Sequence, residues 1–116
     1  MKTILIAEDN DSNYVLMTYI LKKHYNIVRA HDGREAIEMA SDDNIELVLM
    51  DLRMPVVDGL EATRQIKAFR PGLPIVMLTA NAFEIDRENA LAAGCDDFLA
   101  KPVKSDKCLS VISKYI

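Results

Sequence analysis

Leu47-Val48-Leu49-Met50-Asp51-Leu52-Arg53-Met54-Pro55 is the stretch whose reading decides the fold: four consecutive apolar residues, suited to a strand covered on both faces, run directly into a carboxylate. A charge at the end of a buried run costs desolvation free energy unless something compensates it. The pattern recurs along the chain. Ile4-Leu5-Ile6-Ala7 ends in Glu8-Asp9, Ile75-Val76-Met77-Leu78 ends in Thr79, and Phe98-Leu99-Ala100 ends in Lys101. Laid parallel in one sheet, these strands bring three acids, a hydroxyl and an ammonium to one rim, a set suited to a divalent cation and a phosphoryl group.

Working outward, short β-type runs alternate with helix-length segments through the whole chain, the pattern of a parallel sheet with helices on both faces. Strands are expected at about residues 2–7, 26–30, 46–50, 74–78 and 96–100. Asp32-Gly33-Arg34-Glu35 and Asp58-Gly59-Leu60-Glu61 each have the form of a capping box at a helix start. Ala62, Ile66 and Phe69 recur at helical spacing until Arg70-Pro71-Gly72 stops the segment. A fourth helix is expected over about 83–93, closed by Gly94, and a last one over about 104–115 with Leu109 and Ile112 on one face. Right-handed crossovers leave few strand orders. The expectation is an α/β, flavodoxin-like (βα)5 fold, a doubly wound five-stranded parallel sheet of order 2-1-3-4-5, with strands 1 and 3 adjacent at the switch point.

Length and composition set outer limits. The 116 residues suit a single domain spanning 1–116, half of them hydrophobic and 28% charged, which excludes a disordered composition. A net charge of -4 supplies no general attraction to nucleic acid or an anionic membrane, so neither is expected as a direct partner. The apolar run after Met1-Lys2-Thr3 is too short for a signal-peptide core or a membrane span, and the chain reads as cytoplasmic. Cys95 and Cys108 lack a metal-type or redox-type spacing and read as packing residues. His24 and His31 lie in polar surroundings and read as solvated.

At the rim, Glu8, Asp9 and Asp51 would be like charges at close range, a conflict that a hard cation resolves. Mg²⁺, which takes oxygen ligands and keeps several waters, fits the inventory better than zinc. Asp51 is the candidate nucleophile for a phosphoryl group, with Lys101 and Thr79 placed to neutralise and orient it and the small Ala80 leaving access open. Each residue also has a plainer reading: Asp9 or Asp11 as a helix cap, Thr79 as a strand-end cap, Lys101 as a surface charge, Asp51 as a loop acid. The conjunction of four strand ends favours a shared site. Pro102, directly after Lys101, is a candidate for a cis peptide bond.

With these residues in view, the chain closely resembles the receiver domain of two-component response regulators over essentially its full length. Asp51-Leu52-Arg53-Met54-Pro55-x-x-Asp58-Gly59 is similar to that family's phosphoacceptor segment, and Lys101-Pro102 to its lysine segment. The resemblance implies that Asp51 accepts phosphate from a phosphohistidine on a histidine kinase or a histidine phosphotransfer protein. It implies that Asp51, Asp9, Glu8 through water, and the backbone carbonyl of Arg53 hold Mg²⁺, with Mn²⁺ as an alternative. Thr79 and Lys101 would bind the phosphoryl group, and Phe98, at the switch-aromatic position, would turn inward with Thr79. That movement would alter an effector-binding face made by helix 4, strand 5 and helix 5. Phe98 stands where tyrosine is commoner, so an output that needs a phenolic hydroxyl is not expected. Arg53 and Asn81 occupy the positions that tune phosphoryl lifetime.

Thr79-Ala80-Asn81-Ala82 and Gly94-Cys95-Asp96-Asp97-Phe98-Leu99-Ala100-Lys101-Pro102 look most like receivers of hybrid sensor kinases or phosphorelays, either free-standing or part of a longer kinase. Such a domain is a self-phosphorylating and autodephosphorylating acceptor rather than a turnover enzyme. Two alternatives share some of its features. One is a receiver-like interaction module that works without phosphorylation. The other is a Mg²⁺-dependent phosphohydrolase with an aspartyl intermediate; enzymes of the haloacid dehalogenase type use a second acid two residues after the nucleophile, where this chain has Arg53.

Overall fold

The central strands are apolar because both of their faces are covered. The computed structural model describes residues 1–80 and 84–116, the side chains of 84–86 excepted. Along the chain run β1 (Thr3–Ala7), α1 (Asp11–Leu21), β2 (Asn26–Ala30), α2 (Gly33–Met39), β3 (Ile45–Asp51), α3 (Gly59–Phe69), β4 (Ile75–Thr79), α4 (Glu84–Ala93), β5 (Asp97–Ala100) and α5 (Ser105–Ser113). All strands pair in parallel, in the order β2-β1-β3-β4-β5, which is the flavodoxin-like order expected from the sequence. β4 is buried throughout, whereas the edge strands β2 and β5 stay partly open to solvent.

Alternation along the strands sorts the core into two layers. Leu5, Val48, Met50, Ile75 and Met77 pack with Ala36, Ala62, Ile66 and Ala90 beneath α2, α3 and α4. Ile4, Ile6, Leu47, Leu49, Val76 and Leu78 pack with Met17, Leu21, Cys108 and Ile112 beneath α1 and α5. Cys95 belongs to the first layer and Cys108 to the second, and burial pushes each thiol up to about 11.

Boundaries differ from expectation where side chains occupy the backbone. β3 extends through Asp51, so the acid is the last strand residue rather than the first of a loop. β5 begins at Asp97 rather than residue 96, because Asp96 is already engaged: its Oδ2 accepts from the Ile75 amide at 2.9 Å and from Lys67 Nζ at 2.8 Å. α5 stops at Ser113, and the Tyr115 hydroxyl turns back to donate to the Asp96 carbonyl at 3.0 Å. The expected helix start at residue 83 lies outside the described residues.

Each of the first three helices starts on a capping side chain. Asp32 accepts from the Glu35 amide and Asp58 from the Glu61 amide, one half of each expected box. The return halves are diverted: Glu35 takes the His31 amide and ring, and Glu61 holds Arg64 and Gln65. α1 is capped by Asn10, which accepts from the Asn13 amide, so neither Asp9 nor Asp11 is spent on capping. Gly94, at φ 106°, supplies the left-handed residue that ends α4.

Gly59 sets the distance between α3 and the end of β3. Its amide donates to the Leu52 carbonyl at 2.9 Å, and a Cβ there would collide with the Asp51 carbonyl and lie 2.9 Å from Leu52 Cα. Gly59→Ala is therefore expected to destabilise the fold by roughly 2 kcal/mol or more in urea unfolding. Gly72→Ala, whose Cβ meets nothing within 4 Å, should stay within about 0.5 kcal/mol of wild type.

Candidate functional site

The carboxyl ends of β1, β3, β4 and β5 converge as the sequence requires. Glu8 follows β1 and is fully buried; Asp51 ends β3 at 6% exposure; Thr79 ends β4 and is buried; Lys101 follows β5 with its side chain 21% exposed. Lys101 Nζ bridges the two acids, 2.9 Å from Glu8 Oε1 and 3.1 Å from Asp51 Oδ1. The Lys101 amide donates to the Thr79 carbonyl at 2.8 Å, which carries the β4–β5 ladder one step past the strand and aims the lysine at the rim. The Lys101–Pro102 bond is cis.

Asp9 is exposed, and the carboxylates of Glu8, Asp9 and Asp51 each offer an oxygen within 4.8 Å of the others. Three acids face one ammonium within this cluster, so negative charge is in excess. Burial, and then the neighbouring Asp51, push the Glu8 carboxyl above its ordinary 4.5 against the opposing pull of Lys101. Burial alone would lower the lysine, but its contacts with Glu8 and Asp51 outweigh that and hold it above 10.5. Glu8 Oε2 is buried with no hydrogen-bond donor among the described residues. An orphaned carboxylate oxygen beside two further acids suits a hard divalent cation, which this donor set could hold with water completing its coordination.

The β3–α3 loop forms the outer wall. Arg53 is exposed, and its amide approaches Asp51 Oδ1 at 3.4 Å. Val56 sits at φ 70°, in a tight turn closed by the Val57 amide on the Pro55 carbonyl at 2.8 Å; a β-branched residue there carries strain of about 1–3 kcal/mol. A depression of about 580 Å³, lined by Asp9, Arg53, Met54 and Pro55 among others, opens beside the acids. Phe98 is half-buried against the first core layer, with the Arg87 guanidinium 5.3 Å from its ring centre. Asn81 lies outside the described residues.

Sequence reasoning missed Arg29, whose guanidinium donates twice to the Glu8 carbonyl, from Nε at 3.1 Å and Nη2 at 3.0 Å. The available signal was a cation placed inside an otherwise apolar stretch, Ile27-Val28-Arg29-Ala30, on a strand next to the acid-bearing one.

Comparison with known proteins gives the fold and rim a family. The response regulator receiver domain matches residues 4–113, and the chain belongs to that family, the receiver domains of two-component systems. Two-component system protein A of Emericella nidulans is 38% identical over 118 residues; the match takes in 98% of this chain but 17% of that protein, so the chain spans a small part of this relative. The receiver domain of a sensor histidine kinase from Pseudomonas aeruginosa, solved with a magnesium ion in its active-site cleft, superimposes with a TM-score of 0.91 at 38% identity, covering 98% of this chain and 96% of that one. The receiver domain of Ssk1 from Saccharomyces cerevisiae, crystallised with the histidine phosphotransfer protein Ypd1, gives a TM-score of 0.91 at 32% identity over 97% of this chain and 87% of that one.

Cation binding at this rim should compete with protons, because carboxylate ligands must be ionised. Since Glu8 is held above 4.5, Mg²⁺ affinity measured by calorimetry should decline as pH is lowered from neutrality before the ordinary glutamate range is reached. At 100 times its dissociation constant, Mg²⁺ should stabilise the folded chain by about 2.7 kcal/mol, read as a rise in melting temperature.

Proposed function

We propose that residues 1–116 form one receiver domain in which Asp51 accepts a phosphoryl group from a phosphohistidine on a histidine kinase or histidine phosphotransfer protein. The observation that carries this reading is Lys101 Nζ held between Glu8 and Asp51 at the strand ends, with Asp9 completing an acidic cluster. A carboxylate oxygen of Asp51 forms the new P–O bond as the P–N bond breaks, its electron pair returning to the imidazole. Lys101 is already in contact with the nucleophile, where its ammonium offsets the incoming negative charge. Thr79, at the end of the adjacent strand, supplies a hydroxyl toward the new oxygens.

Glu8, Asp9, Asp51 and the Arg53 carbonyl would hold Mg²⁺ or Mn²⁺, as the donor set suits; when bound, the ion neutralises phosphoryl oxygen charge. The magnesium-bound Pseudomonas receiver supports this assignment. The Ypd1–Ssk1 complex supports a phosphotransfer partner. Arg53, exposed on the β3–α3 loop, and Asn81, which lies outside the described residues, are the positions to which this reading gives control of how long the phosphoryl group lasts. No helix among the described residues is long and apolar enough to cross a membrane.

Phe98 is the output element of this reading. In the β4–β5 register Phe98 pairs with Met77 and Ala100 with Thr79, so strand alternation places Thr79 and Phe98 on one sheet face. Movement of Thr79 toward a phosphorylated Asp51 vacates space that the Phe98 ring can enter, leaving its contact with Arg87. The surface that changes is the groove of about 500 Å³ between α4, β5 and α5, with a floor including Phe98, Leu99 and Val111. Arg87, Lys104, Lys107 and Lys114 stand on its walls, with Asp97 as the acid among the described lining residues. An effector segment carrying acids would suit that face.

Incubation with acetyl phosphate and Mg²⁺ should label wild type on Asp51, and Asp51→Asn should take up no label. Labelling of Asp51→Asn equal to wild type would sink the assignment. Lys101→Ala should slow labelling about a hundredfold, the cost of losing one preorganised charge-stabilising donor. Thr79→Ala should retain labelling but lose the phosphorylation-dependent amide shifts of β5 and α5 in ¹H–¹⁵N spectra.

A further inference from the structure

β2 ends one residue before the acid-bearing turn of β1 needs it. The Glu8 amide donates to the Ala30 carbonyl at 3.0 Å, which is the last β1–β2 ladder bond, and a parallel ladder would next satisfy the Glu8 carbonyl with the Asp32 amide. β2 stops at Ala30, however, and Asp32 serves as the cap of α2. The Arg29 side chain, 15% exposed, supplies the missing donor as a fork, with Nε at 3.1 Å and Nη2 at 3.0 Å from the Glu8 oxygen. Nη2 also meets Asp11 Oδ1 at 2.9 Å, and the guanidinium carbon lies 4.5 Å from the centre of the Tyr14 ring. One planar cation thus grips the chain on both sides of Asp9: at Glu8 before it, and at Asp11 and Tyr14 in the first turn of α1 after it.

We infer that Arg29 is a positioning residue for divalent-cation binding, setting the plane of the Glu8–Asp9 peptide and hence the directions in which both carboxylates leave the backbone. The inference rests on the metal reading given under Proposed function. Fixing the Glu8 carbonyl restricts rotation on either side of that peptide, and outer partners that hold ligands in this way are worth 10–100-fold in metal affinity in other sites. The fork matters more than the charge. A cation close to a metal site repels the metal, so a purely electrostatic role would make removal of Arg29 tighten Mg²⁺ binding, whereas a positioning role makes removal weaken it. Lysine keeps the charge but lacks the planar pair of donors.

The test is a Mg²⁺ titration of the full chain followed through the Asp9 amide in ¹H–¹⁵N spectra, which reads binding without any phosphodonor. Arg29→Met should retain the native spectrum and raise the Mg²⁺ dissociation constant about tenfold. Arg29→Lys should lie between this variant and wild type. Unchanged or tighter binding by Arg29→Met overturns the inference and leaves the metal reading standing. Should Arg29→Met lose its native spectrum, Arg29→Lys decides alone, and wild-type affinity in that variant overturns the inference. A wild-type chain whose Asp9 amide does not respond to Mg²⁺ overturns the metal reading and this inference together.

Discussion

The contact on which the structure depends is the Lys101 ammonium lodged between Glu8 and Asp51. It joins residues 93 positions apart, bringing the end of the last strand to the end of the first across the centre of the sheet. A buried glutamate and a nearly buried aspartate side by side would repel and would each lose hydration. The lysine makes their proximity tolerable without removing the excess of negative charge. What remains is a site partly neutralised in the resting domain and able to take up a further cation. The same ammonium that steadies the resting acids is in place for the phosphoryl group that the proposed reaction adds.

The sheet translates this local electrostatic balance into a fold requirement. β1, β3 and β4 are apolar because helices cover both faces, and the polar residues are confined to the strand ends where no helix covers them. Gly59 lets α3 approach the Asp51 carbonyl, and the strained turn at Val56 carries the chain out and back over the mouth of the site. Capping by Asn10 leaves Asp9 and Asp11 for other work, Asp9 at the acidic cluster and Asp11 on Arg29. These assignments are mutually dependent. An acid at position 10 in place of the asparagine would also cap α1, but it would add a further negative charge next to Asp9.

How much was legible in the sequence follows from the range of each signal. The strand ends could be read because period and burial are local: three or four apolar residues followed by acid, hydroxyl or lysine announce both the strand and its polar terminus. Right-handed crossovers left few strand orders, and the flavodoxin-like order was chosen among them. Asn10 was harder, since it stands between two acids that cap helices equally well, and only the observed bond to the Asn13 amide separates them. Arg29 was missed because its partner is a backbone carbonyl, and main-chain oxygens have no letter in a sequence. The late start of β5 depended on Asp96 reaching Lys67 and Ile75 from other elements, which local propensity does not encode.

The two cysteines give the domain a property independent of the proposed phosphate chemistry. Each lies in a different half of the core, Cys95 under the α2–α3–α4 side and Cys108 under the α1–α5 side, and each is held as a neutral thiol at physiological pH. Neither can react with an oxidant or an alkylating reagent until its own layer opens. The chain therefore contains two natural reporters of breathing, one per layer, whose rates of modification distinguish loosening of one face of the sheet from unfolding of the whole.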